Sequence, residues 1–171
     1  MLEEVVAGAQ RGVDEAALDV AEMYRIKVGG WCPKGRINEA GSIPKKYSHL
    51  KEVSGIFKKE QDNYDLRTRK NIEDSDGTLV LVPKIPLPAH IKDGTLLTIK
   101  EAIKQRKPFL MIDLSEPNEE NAEKVVLWLR ENLIKRLNIG GPRESSSEGI
   151  YELSFNFLKE TLKHLYPRPR F

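Results

Sequence analysis

Short apolar runs alternate with segments of helical periodicity along nearly the whole chain, and this alternation limits the possible folds more than any other feature. The clearest run, Thr78–Val82, consists of β-branched and apolar residues, as in a strand buried on both faces. Similar runs are Val5–Ala7, Phe109–Asp113 and Leu137–Ile139. Because parallel strands need crossover connections, the sequence predicts an α/β fold with a mainly parallel sheet of about five strands and helices on both faces.

Residues that recur at intervals of three and four predict the helices. The predicted segments are about Val13–Tyr24, a short one at Tyr64–Glu73, Gly94–Gln105, one after a capping Ser115, and Gly149–Leu165. Leu96, Ile99, Ala102 and Ile103 are expected on one side of their helix. A brief strand is expected near Ile26–Val28, whereas the glycine- and proline-containing stretch from residue 29 to 63 is predicted to be mostly loop.

Composition narrows the class of protein. The chain has 171 residues, enough for one domain, and we expect a single domain over residues 1–171. Its 28 basic and 26 acidic residues leave a charge of +2, which argues against a nucleic-acid binder. A single cysteine, Cys32, and the lack of an apolar leader or a long apolar run predict a cytoplasmic protein away from membranes. The scattered histidines predict no structural metal.

Three glycine-containing turns are expected at the carboxyl edge of the sheet, where open parallel sheets bind ligands. They are Gly8–Gly12, Asp93–Thr95 and Gly140–Gly141. Each precedes a predicted helix, whose first N–H groups and partial positive charge suit a phosphate. Arg11 and Arg143 could add charged contacts. The sequence therefore predicts a site for a phosphate-bearing small molecule.

Each candidate also has an ordinary structural interpretation. Asp14 could cap its helix or bond a ligand hydroxyl, and Asp76 could belong to a turn or place a carboxylate near the pocket. Arg67 could be solvated or turn inward toward an anion. Arg143 could pair with the neighbouring Glu144 or another surface acid, or it could bind phosphate oxygens. Cys32 is more simply a small buried thiol than a nucleophile.

Several segments resemble one known family. Gly8-Ala-Gln-Arg-Gly-Val-Asp14, continued by Ala16-Ala-Leu-Asp19, is similar to the opening of the putative molybdenum carrier family. That family is a circularly permuted branch of the lysine-decarboxylase-like, Lonely-guy-type Rossmann superfamily. Gly29–Arg36 and the segment Leu137–Ser145 match in the same order, as do Arg67, Asp74–Thr78 and Gly94-Thr95.

The resemblance implies a three-layer Rossmann-like sheet, a homo-oligomer, and a pocket for the molybdenum cofactor or a nucleotide. The site residues expected from the turns and the resemblance together are Gly8, Ala9, Gln10, Arg11, Gly12, Asp14, Lys34, Arg67, Asp76, Gly94, Thr95, Gly141, Arg143, Glu144 and Ser145. Phe155 and Phe157 cannot face one core from the same helix. One of them, with neighbours such as Leu158, is therefore expected to pack on another subunit or under a loop.

Two departures from the family bear on function. Lys92-Asp93 stands where relatives have further glycine, and Thr98 stands where the phosphoribohydrolase relatives have a glutamate. The missing carboxylate favours a binding or carrier protein over an enzyme. The alternatives are a nucleotide-processing hydrolase of the phosphoribohydrolase type, using Asp14, Asp76 or Glu101, and a nucleotide-sensing module.

Overall fold

The computed structural model describes residues 1–167. The sequence predicts a frayed end at Pro167–Arg170, and all but the first residue of that segment lies outside the described residues. The elements are β1 (Glu4–Val6), α1 (Val13–Met23), β2 (Lys27–Gly29), β3 (Trp31–Cys32), β4 (Ile37–Asn38), β5 (Gly41–Ser42), a 3-10 turn (Lys45–Tyr47), β6 (Lys51–Glu52), α2 (Glu60–Glu73), β7 (Gly77–Val82), α3 (Gly94–Lys104), β8 (Phe109–Asp113), α4 (Asn118–Glu131), β9 (Arg136–Gly140) and α5 (Ile150–Leu165). The main sheet has five strands in the order β2-β1-β9-β7-β8, all of them parallel to their neighbours.

The register brings the carboxyl ends of four strands to one edge. Val6 of β1 lies beside Asn138 of β9, and Gly140 lies beside Val80 of β7. Val82 in turn lies beside Asp113 at the end of β8. The predicted α/β, Rossmann-like parallel sheet is therefore confirmed, and the turns that follow these strands begin at the same edge.

The main hydrophobic core lies between the sheet and the layer formed by α1, α4 and α5. Leu79 and Leu81 of β7 belong to it together with Val13, Val125 and Phe157. Strand alternation turns Val80 and Val82 toward the other face, where α2 and α3 pack on each other and α3 contacts β7. Helices thus cover both faces, and the gap between the two helical layers opens at the carboxyl edge.

The stretch from residue 29 to 63 contains more structure than predicted. β3 and β6 pair in parallel, and β4 and β5 pair antiparallel, although each strand has only two residues. Pairs this short carry no readable alternation, which is why the sequence did not indicate them. α2 also begins at Glu60, four residues before the predicted start. The sequence did not indicate this first turn because its residues are polar and acidic.

The local prediction for the start of α4 is wrong. Ser115 does not cap α4, because its hydroxyl bonds Asp113 at 2.6 Å and the helix starts after Pro117. Leu96 and Ile103 are 44% and 60% exposed, because α3 buries its polar side, which includes Thr98, against the sheet. Within residues 1–167 we find no helix long and apolar enough to cross a membrane.

The apolar side of α5 is used within the chain. Phe157 and Leu158 are both buried in the core, so Leu158 does not lie on an outer surface as predicted. Phe155 is half-buried, packs against the core, and stacks on Tyr151 with ring centroids 6.0 Å apart. The two aromatic rings do point to different surroundings, as their spacing predicts.

Candidate functional site

A cleft opens at the carboxyl edge of the sheet, between the ends of β1, β9 and the start of α3. Segments from all three predicted turns line it, together with one side of α2. Its lining includes Gly8, Gln10, Asp14, Tyr64, Asp65, Arg67, Asp93, Gly94, Thr98, Asn138, Gly140, Gly141 and Arg143. Most of these side chains are polar, so the cleft would suit a polar or charged ligand better than an apolar one.

Asp14 and Arg67 form a buried ion pair in the cleft. Arg67 Nη1 lies 3.2 Å from Asp14 Oδ2, and the backbone N–H of Gln10 donates to the same oxygen at 3.2 Å. Asp14 is only 5% exposed, and this burial raises the pKa of its carboxyl despite the opposing effect of the Arg67 guanidinium. Asp14 lies inside α1, whose N-cap is Gly12, so it is not the capping residue.

The absence of a side chain at Gly8 leaves room for the Arg67 side chain. A Cβ added to Gly8 would lie 2.3 Å from Arg67 Cδ and 2.7 Å from Nε, so the arginine side chain lies directly on the glycine backbone. The close approach that the sequence assigned to a ligand is thus made by a side chain of α2. Arg67 does turn inward, and its Nε is buried without a hydrogen-bond partner among the described residues.

Gln10 presents a fixed amide to the cleft. Its Oε1 accepts from the backbone N–H groups of Arg11 at 3.0 Å and Glu39 at 2.9 Å. These two bonds determine which end of the amide is the oxygen. The Nε2 group is buried, and nothing within the described part of the chain accepts its hydrogens.

Arg143 extends over the cleft from the turn after β9. Its guanidinium carbon lies 5.9 Å from the centre of the Tyr64 ring, a cation–π contact. The nearest carboxylate is Glu39, 4.0 Å from Nε, too far for a hydrogen bond. Glu144, which could have paired with this arginine, instead accepts from the backbone of Gly149 and Tyr151 at the start of α5.

Asp93 is the N-cap residue of α3. Asp93 Oδ1 accepts from the backbone N–H of Thr95 at 3.1 Å and from its hydroxyl at 2.6 Å. Asp93 Oδ2 accepts from the backbone N–H of Arg143 at 3.0 Å. Gly94 beside it has open space where a Cβ would stand, and it lines the cleft.

Two of the glycines serve packing between backbones. A Cβ at Gly12, whose φ is +105°, would lie 2.7 Å from the carbonyl oxygen of Pro142 and 2.9 Å from the nitrogen of Glu144. At Gly141 it would lie 2.3 Å from the carbonyl oxygen of Leu81. Because Gly12 has no side chain, the first turn packs directly on the backbone of the turn after β9. Gly141 also lines the cleft.

Seven predicted residues line the cleft: Gly8, Gln10, Asp14, Arg67, Gly94, Gly141 and Arg143. The other eight have contacts elsewhere. Arg11 pairs with Glu15 at 3.3 Å, and the Lys34 ammonium donates to the carbonyl of Gly55 beside a separate surface hollow. The remaining six are Ala9, Gly12, Asp76, Thr95, Glu144 and Ser145.

The contacts of these residues are structural. Ala9 accepts a bond from Asn38 at 3.1 Å, and Ser145 bonds the Glu39 carboxylate. Asp76 is placed wrongly by the prediction, because it accepts from the backbone of Lys135 and Arg136 at the amino edge of the sheet. It precedes its strand, whereas the cleft lies where strands end.

Sequence reasoning missed several lining residues, among them Tyr64, Asp65 and Asn138. Tyr64 and Asp65 lie on α2, whose weak amphipathic pattern hid which side faces the cleft. Asn138 alternates with Leu137 and Ile139 on β9 and donates to the Thr78 hydroxyl at 3.3 Å. A polar residue inside an apolar strand was the available signal.

Other potentially reactive groups, Cys32 and Glu101, do not line the cleft. Cys32 is fully buried, and burial raises the pKa of its thiol. Glu101 is 8% exposed but bonds Gln105 at 3.0 Å and lies 3.5 Å from Arg69, outside the cleft lining. Residues 1–167 hold no cluster of histidine, cysteine and carboxylate side chains suited to a metal.

Comparison with known proteins agrees with this architecture. Residues 5–162 match the model of the circularly permuted YpsA SLOG family. A crystal structure of a putative molybdenum carrier protein from Syntrophus aciditrophicus SB is 37% identical, with a TM-score of 0.84 over 94% of this chain and 95% of that one. No curated protein matches the chain. The predicted resemblance to the carrier family is thereby confirmed.

Proposed function

Because the chain belongs to the circularly permuted YpsA SLOG family, we propose that it is a carrier that binds a phosphate-bearing small molecule in the cleft. One observation carries the proposal. Six buried side-chain atoms lack a hydrogen-bond partner in the described structure, and three of them, Gln10 Nε2, Arg67 Nε and Arg143 Nε, belong to residues that line this one cleft.

All three groups are N–H donors. A buried donor without an acceptor costs about 1–3 kcal/mol, so such groups are kept where a ligand supplies the acceptor. Two of the donors belong to guanidinium groups, whose geometry matches phosphate oxygens. A ligand rich in acceptors and negatively charged is therefore the best complement.

The donor set fits the phosphate of a molybdenum cofactor or of a nucleotide. Gln10, Arg67 and Arg143 would hold that phosphate. The related carrier from Syntrophus aciditrophicus SB favours the molybdenum cofactor as the ligand class. We place the contact at the cofactor's phosphate because this donor set contacts anions rather than metal ions.

The alternative of a hydrolase has less support. Of the three carboxylates considered for it, Asp14 lines the cleft, while Asp76 lies at the opposite edge and Glu101 is engaged by Gln105. Asp14 is itself held by Arg67 and by the Gln10 N–H. A general acid or base must reach the reacting group, and a carboxylate already bound on one oxygen is poorly placed to do so.

Arg143→Ala tests the anion role. We expect the affinity for a nucleoside monophosphate or a pterin phosphate to fall about tenfold to over a hundredfold, because a charged hydrogen bond is lost. Thermal stability should change little, since the side chain is not part of the core. Isothermal titration calorimetry measures the affinity, and Arg130→Ala on the exposed end of α4 is the matched charge control.

Unchanged affinity in the Arg143 variant would show that this arginine does not bind the anion. Base release, assayed on the same monophosphates with the unmodified protein, separates the carrier from the hydrolase. Binding without release supports the carrier. Turnover that is abolished by Asp14→Asn would support the hydrolase.

A further inference from the structure

Asp93 places a carboxylate where the start of α3 would otherwise receive an anion. A helix N-terminus offers unpaired N–H groups and a partial positive charge, and α3 has 11 residues. Here Asp93 already uses the Thr95 N–H, the Thr95 hydroxyl and the Arg143 N–H. Asp93 and Arg143 line the cleft, so the Arg143 N–H would otherwise be available there, whereas Thr95 lies outside the lining.

The same cleft keeps other donors free. Gln10 is 7% exposed, and its Nε2 group has no acceptor in residues 1–167. Arg67 Nε and Arg143 Nε are likewise unpartnered there. The cleft therefore has one set of donors already satisfied by Asp93 and a second set that is still available.

The charged groups of the cleft also limit how many phosphate groups it can hold. Arg67 is paired with Asp14 at 3.2 Å, and the backbone of Arg143 is bonded to Asp93. Arg67 therefore faces the buried Asp14 carboxylate, and the half-buried Asp93 carboxylate lines the same cleft, so fixed negative charge is present there before any ligand enters. One phosphate group can be added beside the free donors, but a second would lie against the Asp93 carboxylate.

We propose that Asp93 determines specificity by acting as a resident anion at α3, so that the cleft accepts a ligand with a single phosphate and rejects a diphosphate. The inference rests on the proposed anion-binding function of this cleft and names the class of ligand: a phosphate monoester. The free donors of Gln10, Arg67 and Arg143 hold that phosphate.

The test compares inorganic phosphate with pyrophosphate by isothermal titration calorimetry. The unmodified protein should bind pyrophosphate no more tightly than phosphate. In Asp93→Gly the α3 donors become free and the repelling carboxylate is gone. We expect pyrophosphate to bind about tenfold more tightly or better, while phosphate affinity changes several-fold less.

Asp65→Asn is the matched control. Asp65 lines the same cleft and its change removes the same charge, but it has no contact with the start of α3. It should alter both affinities by a similar small factor. Asp93→Ser, which keeps a capping hydroxyl, replaces the glycine variant if circular dichroism shows that the latter is unfolded.

The outcomes separate the two proposals. An unchanged ratio of pyrophosphate to phosphate affinity in the Asp93 variants, or an equal gain in Asp65→Asn, overturns the role of Asp93. Should the unmodified protein bind neither anion, the carrier proposal fails, and pyrophosphate binding by Asp93→Gly would then show only that Asp93 repels anions, not that the cleft selects a single phosphate. If no variant binds either anion, both are wrong.

Discussion

Asp14 shows how one buried residue sets the charge of the cleft. Its carboxyl is almost fully buried, and desolvation outweighs the attraction of Arg67, so its pKa lies above the ordinary value of 3.8. The nearby Asp93 carboxylate acts in the same direction. The folded protein therefore holds a proton on Asp14 at pH values where the unfolded chain has lost it.

This shift predicts a stability change with a definite sign. Because the folded state binds the proton more tightly, Asp14 lowers the free energy of unfolding as the pH rises from about 4 toward the raised pKa. In Asp14→Asn this decrease should be absent, while the Gln10 N–H keeps an acceptor. Urea unfolding, followed by circular dichroism from about pH 4 to about pH 8, measures the difference.

The comparison isolates Asp14, because other shifted groups remain in both proteins. Burial also raises the pKa of Glu15, whereas hydrogen bonds from Ser115 and Lys163 lower the pKa values of Asp113 and Glu160. The contributions of Asp113 and Glu160 cancel in the difference between the two curves, whereas Glu15, whose pKa the Asp14 charge also raises, adds a smaller change of the same sign. Parallel curves would mean that the Asp14 pKa is not raised in the folded protein.

At this scale the sequence predicted residue positions better than residue roles. Gln10 and Arg67 could be named from the motif and the resemblance. Only the structure shows that two backbone N–H groups fix the Gln10 amide, and that Gly8 gives room to Arg67. Roles of this kind depend on contacts between segments far apart in the chain, which local patterns do not contain.

Among the elements, the first and last turns depend on each other. Gly12 forms an isolated bridge with Arg143, and its backbone lies against Pro142 and Glu144. The neighbouring atoms belong to backbone, so they cannot move aside as a flexible side chain could. The position of Arg143 in the cleft therefore depends on the absence of a side chain at Gly12.

Gly12→Ala should lower the free energy of unfolding by about 2 kcal/mol or more. The new Cβ meets backbone atoms at 2.7 and 2.9 Å, and φ of +105° is unfavourable for alanine. Gly94→Ala is the control, because a Cβ there has nothing within 4 Å. It should stay within about 0.5 kcal/mol of the unmodified protein.

Chemical denaturation gives both values. Equal losses in the two variants would show that the tight approach at Gly12 is not real. Ligand affinity, measured on the folded fraction, should also fall in the Gly12 variant, because Arg143 shifts with its turn.

The predicted elements are strongest where periodicity is long. β7, β8, α1 and α5 lie within a few residues of their expected ranges, since long apolar patterns report burial directly. The exposed Leu96 and Ile103 of α3 show the limit of the method. Which side of a helix faces the sheet depends on its neighbours, and here the polar side carrying Thr98 lies at the cleft.

For the whole molecule we expect a homo-oligomer, as the family resemblance implies. The final helix cannot supply the contact through Leu158, which is buried within its own chain. The exposed Leu96 and Ile103, seven residues apart on one side of α3, are the better candidates. A second copy of the chain would cover them.

Light scattering across a range of concentrations measures the mass. We expect more than one chain per particle, and Ile103→Lys should weaken the association, because a charge is costly in an apolar contact. Leu133→Lys, at a position 82% exposed after α4, is the control and should have no effect. A monomeric mass at every concentration would contradict the prediction.

The strand order has a consequence for synthesis on the ribosome. β1 is made first, yet its partner β9 is made about 130 residues later, so the nascent chain has only the short β2 to pair with it. At usual translation speeds that interval is roughly ten seconds. Throughout it the apolar β1 and α1 lack the strand that completes their sheet, and the cleft lacks Arg143. The sheet and the cleft can therefore be completed only after β9 and the turn that carries Arg143 have been made.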